Sequence, residues 1–383
     1  MNATKERNTS PIIAWFKICP TRHILIIIFA LIIGSYFLLR RNEELLDAVS
    51  RHFVRPWHRA LGEFSSIFPF SLCAVLIALA VLGALTYVIF QIVYMFRRRE
   101  VLKRVYRIFM TFLMAFCIFY GGFCALWGIY FYTADFEEQS GIHAQPISTL
   151  ELKLVTYYFS HLLNEYSDDV ARDENGLFAE DMDAVFDHSP LLYDSVSKEF
   201  PCLEGKPLRS KPFLFSKVLS HMTFTGFFFP FTGEANINVD SPDCMTASTI
   251  AHEIAHQRGV AQEDEANFVA VLASLADGDS VYCYSSCLMA YTYLGNALYA
   301  ADYETWLNIY NSLKPEVIAD LRDNSSYWDK YRDSVVNTAS DAIYTGMLYS
   351  YGQTDGLKTY GKCVDLLVAY YIDDAVSYYR KVM

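Results

Sequence analysis

The chain is patterned in two unlike halves. Three long apolar stretches stand near its start: about His23 to Leu39, Ile67 to Phe96, and Val105 to Phe131. None has an acid or base in its middle, and each approaches or exceeds the 18 apolar residues that favour a membrane span over a buried core helix. The pattern predicts a tail over residues 1–22, spans over 23–39, 67–96 and 105–131, and a basic loop over 97–104. Residues 40–66 are expected to form an amphipathic segment on the membrane surface, because LLDAVSRHFVRPWHRALGEF mixes apolar and cationic positions at helical spacing. Beyond Phe131 the period shortens to three and four residues. Helices are predicted over Leu150–Glu165, Val281–Ala300, Pro315–Val336 and Gly361–Arg380, with turns at Asp277-Gly278-Asp279 and Gly352–Gly356. The stretch His221–Asp240 is aromatic and β-prone, and Glu234–Val239 alternates like a strand that could border a cleft and take up an extended peptide. Phe224 and Phe227–Phe229 read first as core. The fold class is therefore mostly α: three transmembrane helices, then a helical domain over 132–383 with a short β edge strand.

Charge orients this arrangement. Residues 1–131 hold 15 Lys and Arg against 6 Asp and Glu, and residues 132–383 hold 16 against 37. The loop RRREVLKRVYR belongs on the cytoplasmic side by the positive-inside rule, which puts the acidic domain outside. The five arginines Arg40, Arg41, Arg51, Arg55 and Arg59 of the first loop run against that rule. A domain so acidic is no nucleic-acid binder, since such binding needs clustered Lys and Arg. The expected partners are the lipid bilayer and a peptide or protein substrate. Nine cysteines show no ribbon-like pairing and read as buried free thiols.

The chemistry is concentrated between Ser248 and Ala273. A helix is predicted to begin near Ser241-Pro242-Asp243 and to stop at Gly259. His252 and His256, four apart, share one face and can grip one Zn2+. Glu253 points partly toward the same cleft, placed to accept a proton from water. A third ligand is needed. Glu263 fits a second helix starting near Gln262, with Asn267 on the same face to orient a histidine ring; Glu265 is the rival and Asp264 a weaker one. Gln257 and Arg258 read as a surface polar residue and a C-terminal helix base. His143, His161, His188 and His221 have no ligand-spaced partner. Tyr344, Tyr349 and Tyr360 are candidate oxyanion donors.

HEIAHQRG followed by EDEANF resembles gluzincin-type metallopeptidases. More widely, FTGEANIN at Phe231–Asn238, HEIAHQRGVAQEDEANF at His252–Phe268 and DGLKTYGKCVDLLVAYY at Asp355–Tyr371 resemble an uncharacterised bacterial family of membrane-bound proteins, the domain of unknown function numbered 3810. The gluzincin resemblance implies His252, His256 and Glu263 as zinc ligands, Glu253 as general base, a zincin-like fold and peptide-bond hydrolysis. Two departures stand: the spacing from His256 to Glu263 is tight, and Asn267 occupies a position where many gluzincins have Asp. The rival expectations are a non-catalytic metal-binding sensor and a membrane scaffold with structural histidines.

Overall fold

The computed structural model describes residues 11–98, 100–332, 334–350 and 360–382. Among the described residues three helices are long and apolar enough to cross a membrane: α1 (Pro20–Leu39), and, after the connecting helices α2 (Glu43–Val49) and α3 (Arg55–Ser66), α4 (Leu72–Arg98) and α5 (Val101–Leu126). At 1.5 Å per residue α4 and α5 each extend about 40 Å, beyond the roughly 30 Å of a hydrocarbon core. Gly121 of α5 lets Phe29 and Ile33 of α1 close against its backbone. Polar side chains pair across the bundle: His23 Nε2 meets the Tyr106 hydroxyl at 2.7 Å, and Arg104 donates to Gln91.

The boundaries differ from the sequence expectation in three places. The second apolar helix starts at Leu72 rather than Ile67, because Pro69 interrupts the chain and Ser71 caps the helix through the Ala74 amide at 3.0 Å. The third ends at Leu126, and Gly128–Tyr132 forms a 3-10 turn whose Ile129 and Tyr130, with Trp127 before it, are buried under the following domain. The basic loop shrinks to a tight reversal, since helix runs through Arg98 and resumes at Val101.

The segment over 40–66 does more than lie on a surface. A π-helical stretch, Ser50–Val54, joins α2 to α3, and one face of the segment packs inward. Leu46 and Val54 join Trp127, Tyr130, Phe228 and Ala261 in a shared cluster. The opposite face leaves Phe53, Trp57, Phe64 and Ile67 exposed.

The domain that follows is mostly helical. Its long helices are α6 (Thr149–Tyr166), α7 (Thr246–Gln257), α8 (Glu263–Asp277), α9 (Ser280–Ala301), α10 (Pro315–Asp329), α11 (Val335–Ser350) and α12 (Tyr360–Val382). The core is assembled from α6, α7, α8, α9 and α12, around Phe159, Ile250, Phe268, Tyr284, Leu288 and Leu367. The helix expected over Pro315–Val336 is split, because the Ser334 hydroxyl accepts the Asn337 amide at 3.0 Å and caps a new helix. The expected turn at Gly352–Gly356 lies outside the described residues. All nine cysteines are free thiols, eight of them buried.

A three-stranded sheet lies over the start of α4. Its order is β1 (Lys211–Pro212), β3 (Glu234–Ile237), β2 (Gly226–Phe229); β1 pairs parallel to β3 and β2 antiparallel. This corrects the expected edge strand: Glu234–Ile237 is central, and all four of its residues are buried. Its polar positions mislead because their partners are remote. Glu234 is bound by Lys211 Nζ at 2.8 Å and accepts the Leu72 and Cys73 amides at 2.9 and 2.8 Å, closing the N-terminus of α4. Asn236 accepts the Ser71 hydroxyl. The edge is β2, from the aromatic run. Only Phe228 of that run is fully buried, while Phe224, Phe227 and Phe229 pack on a small cluster with Cys73 and Phe213.

Candidate metal centre

Helix α7 is held from several sides. Its Ser248 amide is taken by the Ser285 hydroxyl, and the Tyr193 hydroxyl donates to the Ala251 carbonyl at 2.7 Å. The helix follows a 3-10 turn at Asp243–Met245, a few residues later than its capping signals suggest. It ends in a Schellman turn. The Gly259 amide bonds the His256 carbonyl, the Val260 amide bonds the Ala255 carbonyl, and Gly259 takes the left-handed conformation at φ +96°.

That turn has a chemical consequence. It brings the Val260 carbonyl to 2.7 Å from His256 Nδ1. Nδ1 therefore carries the ring proton and donates it to the carbonyl, and Nε2 of the neutral ring is left with its lone pair outward. Trp127, at the C-terminal end of α5, packs edge-on against the same ring at 5.5 Å.

After three further residues α8 begins at Glu263, which returns over the face of α7. Glu263 Oε2 lies 3.2 Å from His252 Nε2 and 3.6 Å from His256 Nε2. The three ligand atoms lie within 4.8 Å of one another. The two imidazoles stand perpendicular, 4.6 Å apart. The other oxygen of Glu263 accepts the Tyr344 hydroxyl, from α11. Of the three tyrosines singled out in sequence, Tyr344 thus reaches the site through Glu263, while the side chains of Tyr349 and Tyr360 lie outside the described residues.

The rival carboxylates face elsewhere. Glu265 is wholly buried, accepting the Phe136 amide at 2.9 Å and Lys362 Nζ at 3.2 Å, and Asp264 accepts the Cys363 amide. The role imagined for Asn267, orienting a histidine, is filled at His256 by the Val260 carbonyl. His221 is the last residue of a short helix, Ser216–His221, and packs on Tyr331, and His188 pairs with Asp277, both apart from the centre. Gln257 and Arg258 are not surface groups. Gln257 ties α7 to the β2–β3 turn through the Gly233 carbonyl at 2.8 Å, and Arg258 is buried.

Glu253 is buried, and its Oε2 has no hydrogen-bond partner. Strand β2 passes so close that a Cβ at Gly226 would stand 2.8 Å from the other oxygen. The Phe228 amide favours the charged form of this carboxylate. Burial pushes the Glu253 carboxyl up to about 7, against the opposing pull of His252 and His256. Burial alone would lower His256, but the Glu263 carboxylate outweighs it and raises the imidazole to about 9. Burial works on Glu263 in the opposite sense, and the two imidazoles overcome it, holding that carboxyl well below the usual range.

These features fit a divalent cation. Two imidazole nitrogens and one carboxylate oxygen converge, one ring has its Nδ1 held from behind by a carbonyl, and an unsatisfied buried carboxylate oxygen stands alongside. The sequence signals had named every one of these groups except Val260 and Trp127. The Gly-Val turn after the second histidine is the signal that could have found Val260.

Fold and site together define a mostly helical protein with three membrane-length helices and a His-His-Glu cluster beside a small sheet. The chain belongs to the family described as protein of unknown function DUF3810, whose model matches residues 50–368. The match begins within the connecting segment and takes in α3, α4, α5 and the site. No curated protein and no solved structure matches this chain.

Proposed function

We propose that this protein is a membrane-anchored zinc metallopeptidase of zincin-like type. It crosses the bilayer three times, with its N-terminus in the cytoplasm and its catalytic domain outside. The observation that carries the reading is the convergence of His252 Nε2, His256 Nε2 and Glu263 Oε2 next to the unpartnered Glu253 Oε2. The topology is supported by the cationic reversal between α4 and α5.

His252, His256 and Glu263 would hold the zinc. When bound there it would supply a Lewis acid for the scissile carbonyl and make water more acidic. Glu253 Oε2 takes a proton from the attacking water and hands it to the leaving amide nitrogen. Its burial suits the task, because a carboxyl titrating near neutral pH both accepts and returns a proton readily. Strand β2 would align the substrate. The Asn238 amide bonds the Thr225 carbonyl, and the ladder alternates from there. The backbone groups of Gly226 and the carbonyl of Phe228 therefore point away from β3, toward an extended chain laid along the free edge.

The test is cleavage of a peptide library by the full chain in lipid nanodiscs, with and without chelator. The expected result is chelator-sensitive, zinc-restored cleavage that falls about a hundredfold or more in Glu253→Gln. One bound zinc with no cleavage of any peptide would favour the sensor. Undiminished cleavage by Glu253→Gln would end the mechanism.

A further inference from the structure

The cleft behind α7 concentrates cationic groups, only some of which the protein itself neutralises. It lies between α3, the loop through Gly205 and the C-terminal end of α7, and is lined by Arg55, His58, Arg59, Tyr130, Lys206 and Arg258, among others. Lys206 is paired with Glu63 at 2.6 Å, and Arg59 donates to the Glu204 backbone carbonyl at 3.1 Å. Arg258 is different. It is only 9% exposed, its guanidinium stacks 5.6 Å from the Tyr193 ring, and its buried Nε has no hydrogen-bond partner. No carboxylate among the described residues forms an ion pair with it. Asp194 and Glu204 act on it without forming an ion pair. His58, 5% exposed, presents a buried Nε2 that is also unpartnered, as is the buried Nε of Arg55.

The site is built rather than accidental. A Cβ at Gly205 would fall 1.7 Å from Arg258 Nη1, so the loop closes on the guanidinium only because glycine stands there. Three guanidiniums and one exposed carboxylate line the cleft. Burying an unpaired cation is among the most unfavourable arrangements in a folded chain, and an anionic ligand removes that cost.

We propose that this cleft binds the phosphate group of an anionic lipid headgroup. Forked guanidinium donors match phosphate oxygens, and more than one guanidinium exceeds what a single carboxylate would neutralise. The lipid source follows from the other face of the same segment. Phe53, Trp57 and Phe64 are exposed there, on an amphipathic stretch joining two membrane-length helices, which is the geometry of a helix seated at the headgroup boundary. The proposal also accounts for Arg55 and Arg59 in a loop that the positive-inside rule would leave poor in bases: these two side chains turn toward a ligand site. It stands apart from the peptidase reading, since it invokes neither the metal nor turnover.

The experiment is native mass spectrometry of the full chain, with palmitoyl-oleoyl phosphatidylglycerol and the matching phosphatidylcholine in equal amounts, and a parallel titration with inorganic phosphate followed by unfolding midpoint. The expected result is preferential retention of one phosphatidylglycerol per chain. Arg258→Gln and Arg55→Gln should each weaken it about tenfold or more. Arg209→Gln, whose guanidinium is already paired with Asp187, should leave it unchanged. Should Arg258→Gln fail to fold, Arg258→Lys keeps the charge, loses the fork, and should give an intermediate affinity. Stabilisation by inorganic phosphate with no lipid preference would overturn the lipid assignment. No preference and no stabilisation, or retention unchanged in the arginine variants, would overturn the site altogether.

Discussion

His256 shows how a single turn prepares a ligand. Its Nδ1 is occupied by the Val260 carbonyl, and that carbonyl is in place because Gly259 adopts a positive φ that other residues resist. Gly259→Ala should therefore destabilise the protein by about 1 kcal/mol or more. It should also weaken zinc binding about 10- to 100-fold, the usual effect of losing a partner that orients a histidine ligand. Competitive zinc titration and thermal unfolding read the two effects separately. Protonation gives a second expectation. In the metal-free protein Glu263 holds His256 charged up to about pH 9. The proton on Nε2 must leave before a cation binds, so zinc affinity should rise with pH, about tenfold per unit, and level off near 9. Stability of the metal-free protein runs the other way. His256 titrates higher folded than unfolded, so its contribution is complete below its ordinary 6.5 and is lost as pH climbs through 9. Glu263 is depressed, so its contribution is present above its ordinary 4.5 and is lost on acidification. Unfolding midpoints of the chelated protein from about pH 2 to 10 should show this window, and Glu263→Gln should flatten both limbs.

At the level of elements, Glu234 joins the sheet to the second membrane-length helix. It is almost fully buried, paired with Lys211, and closes two amides at the start of α4. Glu234→Ala leaves a buried lysine without its partner and should lower stability by about 3–5 kcal/mol. Thermal unfolding in nanodiscs measures this, and Glu234→Gln, which keeps an acceptor, should lose less. The same residue explains what the sequence disclosed and what it concealed. Helices such as α6, α8 and α9 were legible because their apolar spacing and caps are local. So was the convergence of His252, His256 and Glu263, because they lie on two consecutive helices separated by a glycine stop. The strand Glu234–Ile237 was recognised but assigned to the edge, since nothing local reveals that Glu234 answers to Lys211 and Leu72, or that Asn236 answers to Ser71. The contribution of Trp127 to the His256 environment was hidden for the same reason: it depends on a contact spanning the boundary between the apolar helices and the domain.

That boundary is not a division in the whole molecule. Leu46, Val54, Trp127 and Tyr130 precede residue 132, yet they pack with Phe228 and Ala261 beside the His-His-Glu cluster. A fragment restricted to residues 132–383 would expose this apolar seam and leave His256 without its aromatic neighbour. It should bind a hydrophobic dye, aggregate, and hold zinc more weakly than the full chain, whereas a fragment starting at Asn42 should regain much of the difference; dye fluorescence and zinc titration of the two fragments check this. The central claim is that one cation is held by His252, His256 and Glu263. It is tested most directly by elemental analysis of the full-length protein, purified without chelator, beside His252→Ala and Glu263→Gln. One zinc per chain in the wild type and its loss in His252→Ala, with weakened retention in Glu263→Gln, is the predicted result. A metal-free wild type that takes up none on titration, or full occupancy in His252→Ala, would contradict it.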